Sequence, residues 1–171
     1  MGYRHWLLLT GVALSGASSA GCLAQPGPEV TVLSVGDGDT IRVRQGGEQI
    51  TVRLACIDAP ELAQRPDGPR ARDSLRARLP PGTALTLEVK ATDRYGRTVA
   101  EVFRKGNVGL AMVEAGQAFA YRRYLDRCDA SAYLEAEAGA GLRRSGIWRK
   151  PDGITRPWAF RRSSSMPMTP E

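Results

Sequence analysis

Val52-Arg53-Leu54-Ala55-Cys56-Ile57-Asp58-Ala59-Pro60-Glu61 is the stretch on which the fold turns. Val52, Leu54, Ala55, Cys56 and Ile57 are apolar or small and Pro60 ends the run, so the segment predicts a buried strand. That strand emits Arg53 near its start and delivers Asp58 and Glu61 as it ends. A guanidinium and two carboxylates are costly to bury unpaired. At one strand end they suit a metal-bound phosphate better than a core.

Upstream, residues 29–35 alternate and are rich in valine, a strand signal. Gly36-Asp37-Gly38-Asp39 forms a tight acidic turn, 40–44 a second strand, and Gln45-Gly46-Gly47-Glu48 a hairpin into a third strand over 49–57. Such a meander must curl or be covered to hide its apolar face. Downstream, 62–68 is polar and predicts a mobile loop beside the acids. A helix over 69–79 has Pro69 in its first turn and Leu75 and Leu79 facing inward. Strands follow at 83–89 and 97–103, joined by the turn Asp93-Arg94-Tyr95-Gly96. Helical spacing marks 108–115, stopped by Gly116, and 131–145, with Leu134, Ala138 and Leu142 in one stripe and Asp129 or Ser131 as the cap. The order predicts an α+β, mainly β fold: a five-stranded OB-type barrel with about three packed helices, as one domain over 25–150. After Trp148 the composition turns to proline, serine and arginine, and 151–171 is expected to be a disordered tail.

The first residues carry an address. Arg4 and His5 precede an apolar run, 6–17, too short for a good membrane span, and then small residues, Gly16-Ala17-Ser18-Ser19-Ala20-Gly21. Residues 1–24 thus read as a secretion signal; the alternative is a lipoprotein signal ending before Cys22, with the protein membrane-anchored. Without residues 1–24 the chain keeps 23 basic and 18 acidic residues, net +5, a balance that suits a polyanionic partner. The single histidine, His5, leaves with the leader. A Ser-His-Asp or Cys-His site and an imidazole-ligated zinc are then excluded from the mature chain. Cys56 and Cys128 remain as an even pair, which in an oxidising compartment suggests a disulfide, with two buried thiols as the alternative.

Asp37, Asp39 and Asp58 stand at strand ends and converge on a hard cation if those strands are neighbours. Taken alone, Asp-Gly-Asp is a plain turn; the second acidic cluster shifts the balance. Arg53 and Arg97 each open a strand and could grip phosphate oxygens bidentately, although singly each would read as a surface arginine. Glu61, three residues past Asp58, could hold a water beyond the metal; the bland alternative is a simple arginine pair.

Across roughly 29–148 the chain resembles the staphylococcal nuclease (thermonuclease, micrococcal nuclease) family. Asp37-Gly38-Asp39-Thr40, the stretch from Arg53 to Glu61, Asp93-Arg94-Tyr95-Gly96-Arg97 and Gly146-Ile147-Trp148 carry the resemblance. It implies that Asp39, Asp58 and the Ala59 carbonyl bind Ca2+, with Asp37 behind them holding a metal-bound water. Ala59 stands where the family often has threonine. The resemblance further implies Arg53, Glu61 and Arg97 as catalytic residues and Arg94 and Tyr95 as contacts to a terminal phosphate. The segment 121–128 does not align cleanly with the family's base pocket, so Tyr121 and Tyr124 are both candidates for stacking on a base.

The implied activity is that of a secreted or periplasmic phosphodiesterase, a monomer hydrolysing DNA and RNA, single-stranded or locally opened, with calcium. Cleavage of the 5′ P–O bond would leave 3′-phosphates. Two alternatives stand beside it: a noncatalytic nucleic-acid-binding barrel and an envelope lipoprotein of the same fold.

Overall fold

A computed structural model describes residues 29–164; the leader with its Cys22 alternative, and the chain beyond Ser164, lie outside the described residues. Strands β1 (Glu29–Val35), β2 (Thr40–Gln45) and β3 (Glu48–Leu54) form the expected antiparallel meander. Strands β5 (Ala84–Thr92) and β6 (Thr98–Phe103) form a hairpin. β6 pairs parallel with β3, Val52 opposite Thr98, and β5 returns to β1, closing a barrel in the order β1-β2-β3-β6-β5. Alternation supplies the interior: Val30, Val32, Ile41, Val43, Val52, Leu54, Leu85, Leu87, Ala100 and Val102 are all buried.

The decisive stretch is not one strand. β3 ends at Leu54, the Ala55 amide donates to the Ala100 carbonyl (2.8 Å), and the chain then kinks at Cys56, φ +64°. A side-chain-bearing residue in this left-handed region costs on the order of 1–2 kcal/mol. The kink is held by a disulfide from Cys56 to Cys128. Beyond it, β4 (Ile57–Asp58) leaves the barrel and pairs antiparallel with β7 (Phe119–Ala120). Because Ala55, Cys56 and Ile57 are all buried, no alternation marks the break.

Helix α1 (Asp67–Arg78) buries Ala71 and Leu75, with Leu79 buried just past its end. Helix α2 (Val108–Glu114) is capped by Asn107, whose side chain accepts from the Leu110 amide, and buries Val108, Met112 and Val113. Helix α3 (Ala130–Leu142) is capped by Asp129 but turns a different face inward than its leucines suggest. Leu142 is 88% exposed and Leu134 is also exposed, whereas Tyr133, Glu137 and Ala140 are buried. Polar partners explain the rotation: the Tyr133 hydroxyl donates to Glu101 (2.9 Å), and Glu137 accepts from the Ala120 amide (3.0 Å) and from Arg122 (2.6 Å).

Two further expectations give way. The segment after Glu61 is a hydrogen-bonded turn: the Gln64 amide donates to the Glu61 carbonyl (2.8 Å), and the Gln64 side chain donates to the Thr155 carbonyl (2.8 Å). The chain beyond residue 150 is not structureless, since Pro157–Ser164 form a fourth helix, α4, with Pro157 at its first position.

Candidate active site

Two segments converge on Arg53. Its Nη1 pairs with Asp39 Oδ1, and its Nη2 donates to Asp58 Oδ1 (2.7 Å) and to the Ile57 carbonyl (3.4 Å). The Asp39 main chain is fixed on β3 by the Leu54 amide (2.8 Å), and its Oδ2 accepts from the Ala59 amide (2.9 Å). The acidic turn and the β4 exit are thereby tied directly together. Gly38 makes this possible: a Cβ there would lie 2.6 Å from the Ala59 Cβ and 2.8 Å from the Ala71 Cβ. Asp37 accepts from the Asp39 amide (3.0 Å), closing the turn.

Glu61 follows β4 at the start of the Gln64 turn, its amide donating to the Gln64 side chain (3.0 Å). Its carboxylate reaches Arg161 Nη1 (2.6 Å). Arg161, from α4, also chelates Asp58, with Nη2 on Oδ2 (2.7 Å) and Nη1 on Oδ1 (3.2 Å). A cleft of about 480 Å3 lies between these groups, lined by Asp37, Glu61, Leu62, Ala63, Phe160 and Arg161.

The electrostatics follow from burial. The Asp58 side chain is 0% exposed and that of Arg53 only 16%. Burial pushes the Asp58 carboxyl up, against the pull of the Arg161 and Arg53 guanidinium groups, with neighbouring Asp39 adding to the rise. Asp37 is pushed up to about 6, by burial first and then by the Asp39 charge. For Arg53, burial opposes the charge, but Asp39 and Asp58 outweigh it and drive the guanidinium well above its usual range. Among the described residues no group of three or more His, Cys, Asp or Glu side chains is arranged to hold a metal. Guanidinium groups lie on the carboxylates of Asp39, Asp58 and Glu61.

Arg97 does not join this cluster. It precedes β6 and pairs with Asp93, Nε to Oδ2 at 2.7 Å. Arg94 and Arg97 both lie over the Tyr95 ring, at 4.7 and 5.5 Å, so the β5–β6 turn carries a compact basic patch. Tyr121 continues β7 beside β4, its amide donating to the Cys56 carbonyl (2.8 Å). It meets Tyr124 edge-on (5.1 Å) and stacks on Trp158 of α4 (5.2 Å, 11° between planes).

A model of the family described as "Staphylococcal nuclease homologue" matches residues 51–150. The chain is 40% identical over 143 residues to a micrococcal nuclease of Shigella flexneri, covering 78% of this chain and 80% of that protein. It is 36% identical over 139 residues to an uncharacterized endonuclease of Haemophilus influenzae, covering 80% and 75%. The chain belongs to the staphylococcal nuclease family. The helices packed on a five-stranded barrel agree with that family's fold. The staphylococcal-like nuclease CAN1 of Arabidopsis thaliana is 31% identical over 117 residues, covering 68% of this chain and 34% of its own. The stretch matching the staphylococcal nuclease family model stops before α4, whose Trp158 and Arg161 the sequence reading missed. Pro157-Trp158-Ala159-Phe160 carried the available signal, a proline at a helix start followed by two aromatics inside a polar stretch.

Proposed function

We propose that this protein is an exported, calcium-dependent nuclease that hydrolyses phosphodiester bonds of DNA and RNA at the 5′ P–O bond, leaving 3′-phosphates. The observation that carries this is the capture of one guanidinium, Arg53, by carboxylates from two separate segments, Asp39 and Asp58. Export is supported by the apolar leader and by the Cys56–Cys128 bond, a linkage that persists in oxidising compartments.

The donor set fits a hard divalent cation. Asp39 and Asp58 offer carboxylate oxygens at a buried point that already draws positive charge; the Ala59 amide bonds Asp39 and Asp37 closes the same turn, so the Ala59 carbonyl and Asp37 would complete the set. Calcium accepts six to eight such oxygens, water and phosphate included. Bound there, the ion would supply neutralising charge to the phosphate as negative charge grows in the transition state.

The chain's own residues would do the rest. Arg53, held in place by its two acids, directs its remaining N–H groups at a phosphate oxygen. Arg97 would leave Asp93 to grip the same phosphate. Glu61 would orient the attacking water and receive its proton as the bond from phosphorus to the 5′ oxygen breaks, the 5′ oxygen taking a proton from solvent and leaving as a hydroxyl. Arg94 and Tyr95 would hold a terminal phosphate, and Tyr121 or Tyr124 would stack on a base.

The test is incubation of the purified protein with single-stranded DNA, with calcium and then with chelator. Cleavage should vanish on chelation and fall by about a hundredfold or more in Arg53→Ala. Binding of the strand with no cutting under any condition would overturn the enzyme in favour of a noncatalytic module.

A further inference from the structure

Helix α4 lays two side chains on the two surfaces that a nucleic-acid strand would use. We propose that α4 is a displaceable strap: Arg161 competes with the divalent cation for Asp58, and Trp158 competes with a nucleobase for Tyr121. This rests on the nuclease reading above.

Arg161 leaves neither oxygen of Asp58 free of a guanidinium. Oδ2 takes Arg161 Nη2 at 2.7 Å, while Oδ1 takes both Arg161 Nη1 at 3.2 Å and Arg53 Nη2 at 2.7 Å. The same Nη1 engages Glu61 at 2.6 Å, so one guanidinium spans the metal-side acid and the water-side acid. A scissile phosphate would have to lie between those two groups. A cation approaching Asp58 meets occupied lone pairs and a fixed positive charge.

Trp158 repeats the pattern on the aromatic side. Its ring lies 5.2 Å from that of Tyr121 with 11° between planes, the near-parallel stack that a base makes on such a platform. The two contacts lie three residues apart on one helix, so lifting α4 releases both together.

The docking is shallow, which makes displacement feasible. Only Pro157 of α4 is buried, and the Arg161 side chain is 43% exposed. The segment before the helix is held more firmly. Arg156 lies over the rings of Phe119 (4.2 Å) and Trp148 (4.8 Å), and the Thr155 carbonyl accepts from Gln64 (2.8 Å). Residues 155–156 therefore form a fixed post about which a lightly held helix can swing.

The experiment measures calcium binding by calorimetry on the whole protein, Arg161→Ala and Arg161→Lys, beside cleavage of single-stranded DNA. Arg161→Ala should bind calcium about tenfold or more tightly and cleave at correspondingly lower calcium. Arg161→Lys, which keeps the charge but loses the fork, should fall between. Trp158→Ala should lower the KM for the strand while shifting calcium affinity less. Amides 158–164 of the unaltered protein should exchange hydrogen faster once calcium is added. Calcium affinity unchanged in Arg161→Ala, with the parent protein binding calcium and cutting DNA, overturns the strap and leaves the nuclease standing. A fall in cleavage with unchanged calcium affinity does the same, by making Arg161 a phosphate ligand. Absence of calcium uptake by both proteins overturns strap and nuclease together.

Discussion

Gly68 sets the position of Glu61 by what it lacks. A Cβ there would lie 1.9 Å from the Glu61 carbonyl oxygen and 2.6 Å from its carbon, so the first turn of α1 seats directly on the Glu61 backbone. Gly68→Ala should therefore lower stability by about 3 kcal/mol in urea melts and cut cleavage by pushing Glu61 away from Asp58. Full stability with normal cleavage would show that the contact relaxes freely. At this scale the sequence was partly readable. Arg53, Asp58 and Glu61 stand out because charged residues flank an apolar run, and Asp39 because a second acidic cluster makes Asp-Gly-Asp more than a turn. Arg161 did not stand out, because a charged residue in a proline- and serine-rich stretch has no local feature that names its partner 103 residues away.

Among elements, the turn between β5 and β6 depends on one carboxylate. Asp93 accepts from the amides of Tyr95 (2.9 Å) and Arg97 (3.0 Å) and from Arg97 Nε (2.7 Å). Desolvation is the largest single influence and raises its pKa, but the hydrogen bonds from Arg97 and Tyr95 and the Arg97 charge together outweigh it and hold the carboxyl below its ordinary 3.8. A depressed carboxyl stabilises the fold above the unfolded value and loses that contribution as pH falls through the folded one. The stability difference between the parent protein and Asp93→Asn should thus be constant above about pH 5 and shrink as acid titrates the turn, read by denaturant melts across pH. A difference that persists unchanged into strong acid would assign the effect to hydrogen bonding alone. Helix α3 shows why faces are harder to read than elements. Its extent was close to expectation, but apolar spacing favoured Leu134 and Leu142, whereas burial follows Tyr133 and Glu137, which have polar partners on β6, β7 and Arg122.

At the scale of the molecule, the barrel was legible because alternation and turn residues recur through five strands; the break at Cys56 was not, because it is buried on both sides of the kink. The disulfide ties that kink to the start of α3 across 72 residues. Reducing it should lower stability by about 4 kcal/mol in the chain-entropy model, measured by melts with and without reductant. A loss near zero would mean that the packing of β4 on β7 already fixes the kink. That pairing sets an order of assembly. Asp58 sits opposite Phe119, and β3 waits for β6, so a chain emerging N-terminus first carries its acids long before anything can hold them in register. An interrupted translation product ending between residues 62 and 118 would have the charged motif but not the β7 partner that Asp58 pairs with. A cell could release such fragments without risk to its own nucleic acids.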